Sequence, residues 1–177
     1  SIESVLARPA FSGCEAANGS ADTARGYIRR WDEVERMERV TVDDVDTWMS
    51  PATSKRSLSN ALGAEDVALH HYELAPGEAF GFGYHRHSDQ EELFYVLEGT
   101  ATFETENVVV TVGAGEAIRF APGEWQLGRN DGDERVVALA LGAPVGSDEV
   151  EVTRDCPECG DRREVRIEPT DERDAML

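Results

Sequence analysis

The chain sets two histidines, His85 and His87, one residue apart, then an acid pair, Glu91 and Glu92, and a β-forming run that stops at Gly99. In an extended strand alternate side chains share a face, so the two imidazoles emerge together. Residues 93–97 read as the next strand, and a tight return over 88–90 lays Glu92 beside the histidines. Two imidazoles and a carboxylate form a three-ligand, open-faced set that suits Mn, Fe, Ni, Co, Zn or Cu.

A second group of ligand types lies near the end of the sequence, where Cys156-Pro157-Glu158-Cys159-Gly160 has the spacing of one zinc knuckle. A tetrahedral structural zinc needs four ligands, so Cys14, a histidine or a second subunit would have to complete it. Two free thiols are an equal reading. His70 and His71 are adjacent, so only one can face an interior, and both read more simply as structural. Trp125 and Phe94, with Phe80 or Phe82, can wall a small apolar pocket or serve as core. Tyr84 and Arg86 should point away from the histidine face. The sequence carries no Gly-x-Ser-x-Gly, no nucleophilic-cysteine motif and no phosphate loop, so no catalytic residue is singled out.

Short β-prone segments must position these residues. They run over 67–74, 79–87, 92–97, 101–105, 108–112, 117–120, 125–129 and 135–141, with Pro76-Gly77, Gly99, Gly113 to Gly115, Pro122-Gly123 and Asp131-Gly132 as turns. Many short strands with closely spaced turn signals predict an all-β sandwich or barrel. Residues 1–22 read as a loose arm, 24–38 as an amphipathic helix and 43–48 as a helical turn. Residues 50–63 read as a connector with a short turn capped by Gly63, and 149–153 as a last edge strand. The domain expectation is an N-terminal arm over 1–63, a β-barrel over 64–146 and an acidic tail over 147–177. Met37 also offers a start, in which case residues 1–36 lie outside the native protein.

Composition narrows the function classes. Thirty-six acids stand against 17 bases in 177 residues, a net charge of -19, and Lys55 is the sole lysine. Such a surface argues against nucleic acid and anionic membranes as partners. Patterned strands and 40% hydrophobic content argue against a disordered acidic chain. The charge is a solvated shell, whose self-repulsion salt would screen, and it predicts a salt-rich cytoplasm of halophilic type. No segment has the roughly 18 consecutive apolar residues of a membrane span, and no secretory signal is seen.

The residues resemble the cupin superfamily. Its first signature is His-x-His, three or four residues, Glu, six residues and Gly. Here His85-Arg86-His87 is followed by four spacers, Glu92, six residues and Gly99, which selects Glu92 over Glu91 as the inward acid. The upstream glycine is displaced, with Pro76-Gly77 too far and Gly81 and Gly83 too close. In the second signature Gly123 and Asn130 keep their register, Pro122 directly precedes the glycine, and Gln126 stands where a histidine is usual. The acidic shell and the cysteine knuckle are similar to small cupins of salt-loving archaea. The resemblance implies a double-stranded β-helix, jelly-roll-like, with a short helical N-terminal extension. It also implies one divalent metal on His85, His87 and Glu92, with Gln126 near a fourth position, and a homodimer. The function it implies is a metal-dependent dioxygenase-like oxidoreductase or isomerase on a small molecule. The alternative is a non-catalytic sensor or storage protein for a small molecule or metal.

Overall fold

Runs of β-branched and aromatic residues broken by glycine and proline leave the chain few options besides short strands joined by tight turns. The computed structural model describes residues 37–48, 50–145 and 150–166 and divides the chain into two units, Ser1–Met37 and Glu38–Leu177. The expected helix over 24–38 and Cys14 lie outside the described residues, apart from the last two positions of that helix, which are not helical.

The second unit contains eleven described strands. They are β1 (Ser54–Ser57), β2 (Ala68–Leu74), β3 (Tyr84–His87), β4 (Glu91–Glu98), β5 (Thr100–Thr105), β6 (Val109–Gly113), β7 (Ala117–Phe120), β8 (Gln126–Arg129), β9 (Val136–Ala143), β10 (Val150–Asp155) and β11 (Arg162–Glu164). One antiparallel sheet has the order β1-β2-β9-β4-β7, the other β11-β10-β3-β8-β5-β6. This is the all-β, two-sheet arrangement the strand pattern predicts, in the jelly-roll-like form the family resemblance implies.

Between the sheets lies one aromatic-rich core. Phe94 and Phe103 are fully buried with ring centres 4.9 Å apart, and Phe80 and Phe120 pack on them at 5.0 and 5.6 Å. Leu74, Val96 and Val136 complete the filling. β9 sits between β2 and β4 in the middle of its sheet, so its apolar run forms a core strand.

Asn130, the asparagine of the second signature, is fully buried and structural. Its Nδ2 donates to Leu74 O at 3.1 Å and Glu134 O at 2.7 Å, while Oδ1 accepts from Gly132 N at 3.0 Å. It ties the β8–β9 turn to β2. Gly99 holds φ +77°, and a Cβ there would lie 2.4 Å from Arg135 O, so the glycine that closes the first signature is fixed by its backbone.

Three expectations are corrected. The connector over 50–63 instead supplies β1, paired with β2, and a helix α1 (Leu58–Leu62) between an accepting Ser57 hydroxyl and left-handed Gly63. The turn over 43–48 is confined to a single 3-10 turn, Val42–Asp44, because Thr47 bridges to Arg56 and Trp48 N donates to Lys55 O at 2.7 Å, holding the segment extended along β1. The expected edge strand near 149–153 is β10, which is flanked by β3 on one side and β11 on the other.

Candidate metal centre

Alternation along the strands aims the ligands. On β4, Phe94 and Val96 face the core, so Glu92, two residues before Phe94, faces inward as well. Glu91 points the other way and pairs with Arg119. On β3 the same rule sends His85 and His87 inward and Tyr84 and Arg86 outward. Tyr84 stacks on Trp125 with centroids 5.3 Å apart, and Arg86 forms a forked pair with Glu151 while lying 4.9 Å from the Trp125 ring. Trp125 therefore belongs to the outer face and does not wall the pocket.

His85, His87 and Glu92 thus converge from opposite sheets. Each presents one ligand atom, and these atoms all lie within 4.8 Å of one another. His85 Nε2 is 3.7 Å and His87 Nε2 3.8 Å from Glu92 Oε2, separations too long for hydrogen bonds. His85 Nδ1 donates to Gly83 O at 2.9 Å, which fixes the tautomer and leaves the Nε2 lone pair facing the shared space. Gly81 makes room for that ring, since a Cβ there would lie 3.0 Å from His85 Cε1. The donor set, its fixed tautomer and its common focus fit a divalent transition metal.

Gln126 reaches the same point from β8, where it pairs directly across from His85. It is 2% exposed, and its Nε2 donates to Glu92 Oε2 at 2.8 Å and contacts His85 Nε2 at 2.9 Å. With His85 protonated on Nδ1, that second contact is also a donation from the amide. Gln126 Oε1 is buried without a partner. The amide nitrogen, not its oxygen, faces the ligands.

Electrostatics within the cluster are coupled. Burial pushes the His85 imidazole down, but the Glu92 carboxylate and the Gly83 carbonyl outweigh it and leave a net upward shift. Burial pushes Glu92 up, and the two histidines with Lys55 outweigh that and hold it low. His87 is lowered, chiefly by burial.

The ligands line a cavity of about 200 Å³ with Tyr72, Phe80, Phe82 and Phe94 among its walls. Phe80, Phe82 and Phe94 line it, and Phe80 and Phe94 are core residues as well. A wider concavity of about 700 Å³ between residues 39–48 and α1 holds no histidine or cysteine and is lined by neither cluster. His70, whose ring lies 6.2 Å from that of Tyr72, is not among the convergent ligands. Burial, then the charge of Lys55, lowers its pKa to about 4, so it is neutral near pH 7. The sequence reading gave Lys55 no role, although its being the only lysine was the available signal; it lines the same cavity.

The cysteine knuckle is arranged differently. Cys156 and Cys159 lie in the turn between β10 and β11, where Gly160 N donates to Cys156 O at 2.8 Å. Cys156 is half-buried and Cys159 exposed. Backbone N–H groups of Glu158 and Cys159 lower the Cys156 thiol pKa. Among the described residues, no third histidine, cysteine or acid joins them in a metal-sized group.

Residues 70–142 match the family model described as Cupin domain. This stretch is similar to cupin domains. Nothing among curated proteins matches the chain. Among solved structures, the chain is similar to the polyketide cyclase RemF from Streptomyces resistomycificus, at 25% identity and a TM-score of 0.58 over 70% of this chain and 89% of that one. It is also similar to a provisionally assigned sugar phosphate isomerase from Acidithiobacillus ferrooxidans, at 28% identity and a TM-score of 0.51 over 63% of this chain and 74% of the other. A predicted oxalate decarboxylase from Thermotoga maritima shares the fold at 20% identity and a TM-score of 0.53, covering 61% of this chain and all of its own. Among the described residues, no helix is long and apolar enough to cross a membrane.

Proposed function

We propose that the cupin domain binds one divalent transition metal through His85, His87 and Glu92 and acts on a small molecule as a metal-dependent isomerase or dioxygenase-like oxidoreductase. The observation that carries this reading is the convergence of two imidazole nitrogens and one carboxylate oxygen, from two sheets, on one aromatic-walled cavity. When bound, the metal supplies a Lewis acid or a redox centre. The chain's own residues do the rest. The Gly83 carbonyl orients His85, Glu92 contributes the balancing negative charge, and Phe80, Phe82 and Phe94 give the cavity an apolar lining. The Gln126 side chain stands near a fourth position. Turned by 180°, its amide brings Oε1 toward the ligands as a weak oxygen donor. The provisionally assigned sugar phosphate isomerase favours the isomerase arm.

One observation favours the second reading, a non-catalytic sensor or storage cupin. The Gln126 amide donates to the very lone pairs on His85 and Glu92 that a metal uses. The two readings separate on metal-loaded protein assayed for aldose–ketose interconversion of sugar phosphates and for oxygen consumption with phenols and thiols. Turnover that disappears in His85→Ala supports the enzyme. A bound metal with no turnover in either assay leaves the non-catalytic reading.

The cellular setting is part of the proposal. The net charge of -19 fits a salt-rich cytoplasm of halophilic type. Thermal unfolding in dilute buffer and in molar KCl tests this, with a higher midpoint in salt expected and an unchanged one contradicting it. A homodimer is supported by the sheet edge at β6, where Val109 is exposed, and light scattering in high salt reads it directly. A structural zinc at Cys156 and Cys159 would need two ligands from outside the described residues.

A further inference from the structure

Lys55 lines the same cavity as His85, His87 and Glu92. On β1 it pairs across from Tyr72, which is buried at 6% exposure, so its side chain follows Tyr72 to the inner side of the sheet. Its Nζ lies 5.6 Å from the Tyr72 ring centre and 5.8 Å from that of Trp48. These rings are cation-stabilising walls.

Its pairing sets it apart from most of the described bases, and unlike Arg39, Arg154 and Arg163, which also lack a carboxylate partner among the described residues, it lines the cavity of the three ligands. Arg56, Arg86, Arg119, Arg129, Arg135 and Arg162 are each held by a carboxylate within ion-pair distance. Among the described residues, Lys55 Nζ has no such partner and no hydrogen bond, and Glu92, the acid of the cavity, is engaged by Gln126. Burial lowers the Lys55 pKa, and Glu92 opposes that shift only in part. A partly desolvated ammonium without a fixed counter-charge is a receptor for an anion that arrives with the ligand. With a divalent metal on His85, His87 and Glu92, the cavity is net positive inside a chain of charge -19. Its volume of about 200 Å³ lies below the roughly 300–1,000 Å³ of drug-sized sites, which confines the ligand to a small molecule.

We propose that Lys55 anchors the anionic end of this ligand, a small molecule bearing a carboxylate or phosphate oxyanion, whose other end faces His85, His87 and Glu92. The second half of this assignment rests on the metal-centre reading, whereas the lysine contact does not.

The test titrates full-length protein with oxalate and with inorganic phosphate by calorimetry, for wild type, Lys55→Met and Lys55→Arg, while metal content is read in parallel. One of the two oxyanions should bind wild type, which tells a carboxylate site from a phosphate site. Lys55→Met, which keeps the packing of the stem, should weaken it about 10- to 100-fold, the loss of one charge-assisted hydrogen bond, and Lys55→Arg should recover part. Because there is only one lysine, amine-reactive labelling followed by peptide mass spectrometry gives a second readout in unmutated protein. The bound oxyanion should protect Lys55. Equal affinity in Lys55→Met, unprotected labelling, or no binding of either oxyanion to wild type overturns the assignment. Wild type that takes up no metal yet binds the oxyanion through Lys55 overturns the metal reading alone.

Discussion

Two regions of this molecule carry metal-ligand spacing, and among the described residues only one gathers three ligand atoms. His85 and His87 come from β3 and Glu92 from β4, strands of different sheets whose inward alternation is enforced by the phenylalanine core. Cys156 and Cys159 come from one turn of one hairpin, with no described third ligand beside them. A local motif delivers at most the ligands on its own element. Completing a site takes long-range packing that brings a second element to the same point.

The largest expected effect breaks the scaffold of the first region. Phe103 is fully buried between the sheets, and Phe103→Ala should cost about 3–5 kcal/mol in chemical denaturation and weaken metal binding with it. Retained stability would mean that the core does not hold the site. Next, Gln126→His places an imidazole across from His85 and should tighten metal binding about tenfold or more in competition with a chelator. A weaker site in that variant would place Gln126 outside the coordination sphere.

A pH series sharpens the contrast between the buried region and the exposed hairpin. His70 is held neutral in the fold, its pKa lowered to about 4 from the ordinary 6.5. Below pH 6.5 the unfolded chain takes up a proton that the native state refuses, so this part of stability is complete above 6.5 and is lost as pH falls toward 4. The thermal midpoint of wild type should therefore fall more steeply over that range than that of His70→Gln. Parallel curves would show that His70 is solvated. The smallest effect belongs to the hairpin. The double variant Cys156→Ser, Cys159→Ser should shift stability by no more than about 0.5 kcal/mol, unless a zinc completed from elsewhere is bound there.

Most of this arrangement was legible in the residues because it follows from alternation. A period of two put His85 with His87 and Tyr84 with Arg86 on opposite faces, and the count to Gly99 picked Glu92. Gly99 itself is required by its left-handed backbone and the approach of Arg135. What was not legible depends on partners distant in sequence. Ser-Lys-Arg-Ser has no strand-like composition, and it becomes β1 because β2 offers an open edge. Trp125 could equally have faced the pocket until Tyr84 and Arg86 packed against its ring. The segment 79–87 reads as one strand, yet Gly81 and Gly83 confine β3 to its last four residues, which frees the Gly83 carbonyl to orient His85.

Elemental analysis of protein purified in high salt without a metal-binding tag tests the central claim most directly, applied to wild type, Glu92→Ala and the double cysteine variant. The account predicts one transition metal per chain in wild type, the same in the cysteine variant and none in Glu92→Ala. Metal retained in Glu92→Ala and lost with the two cysteines would contradict it.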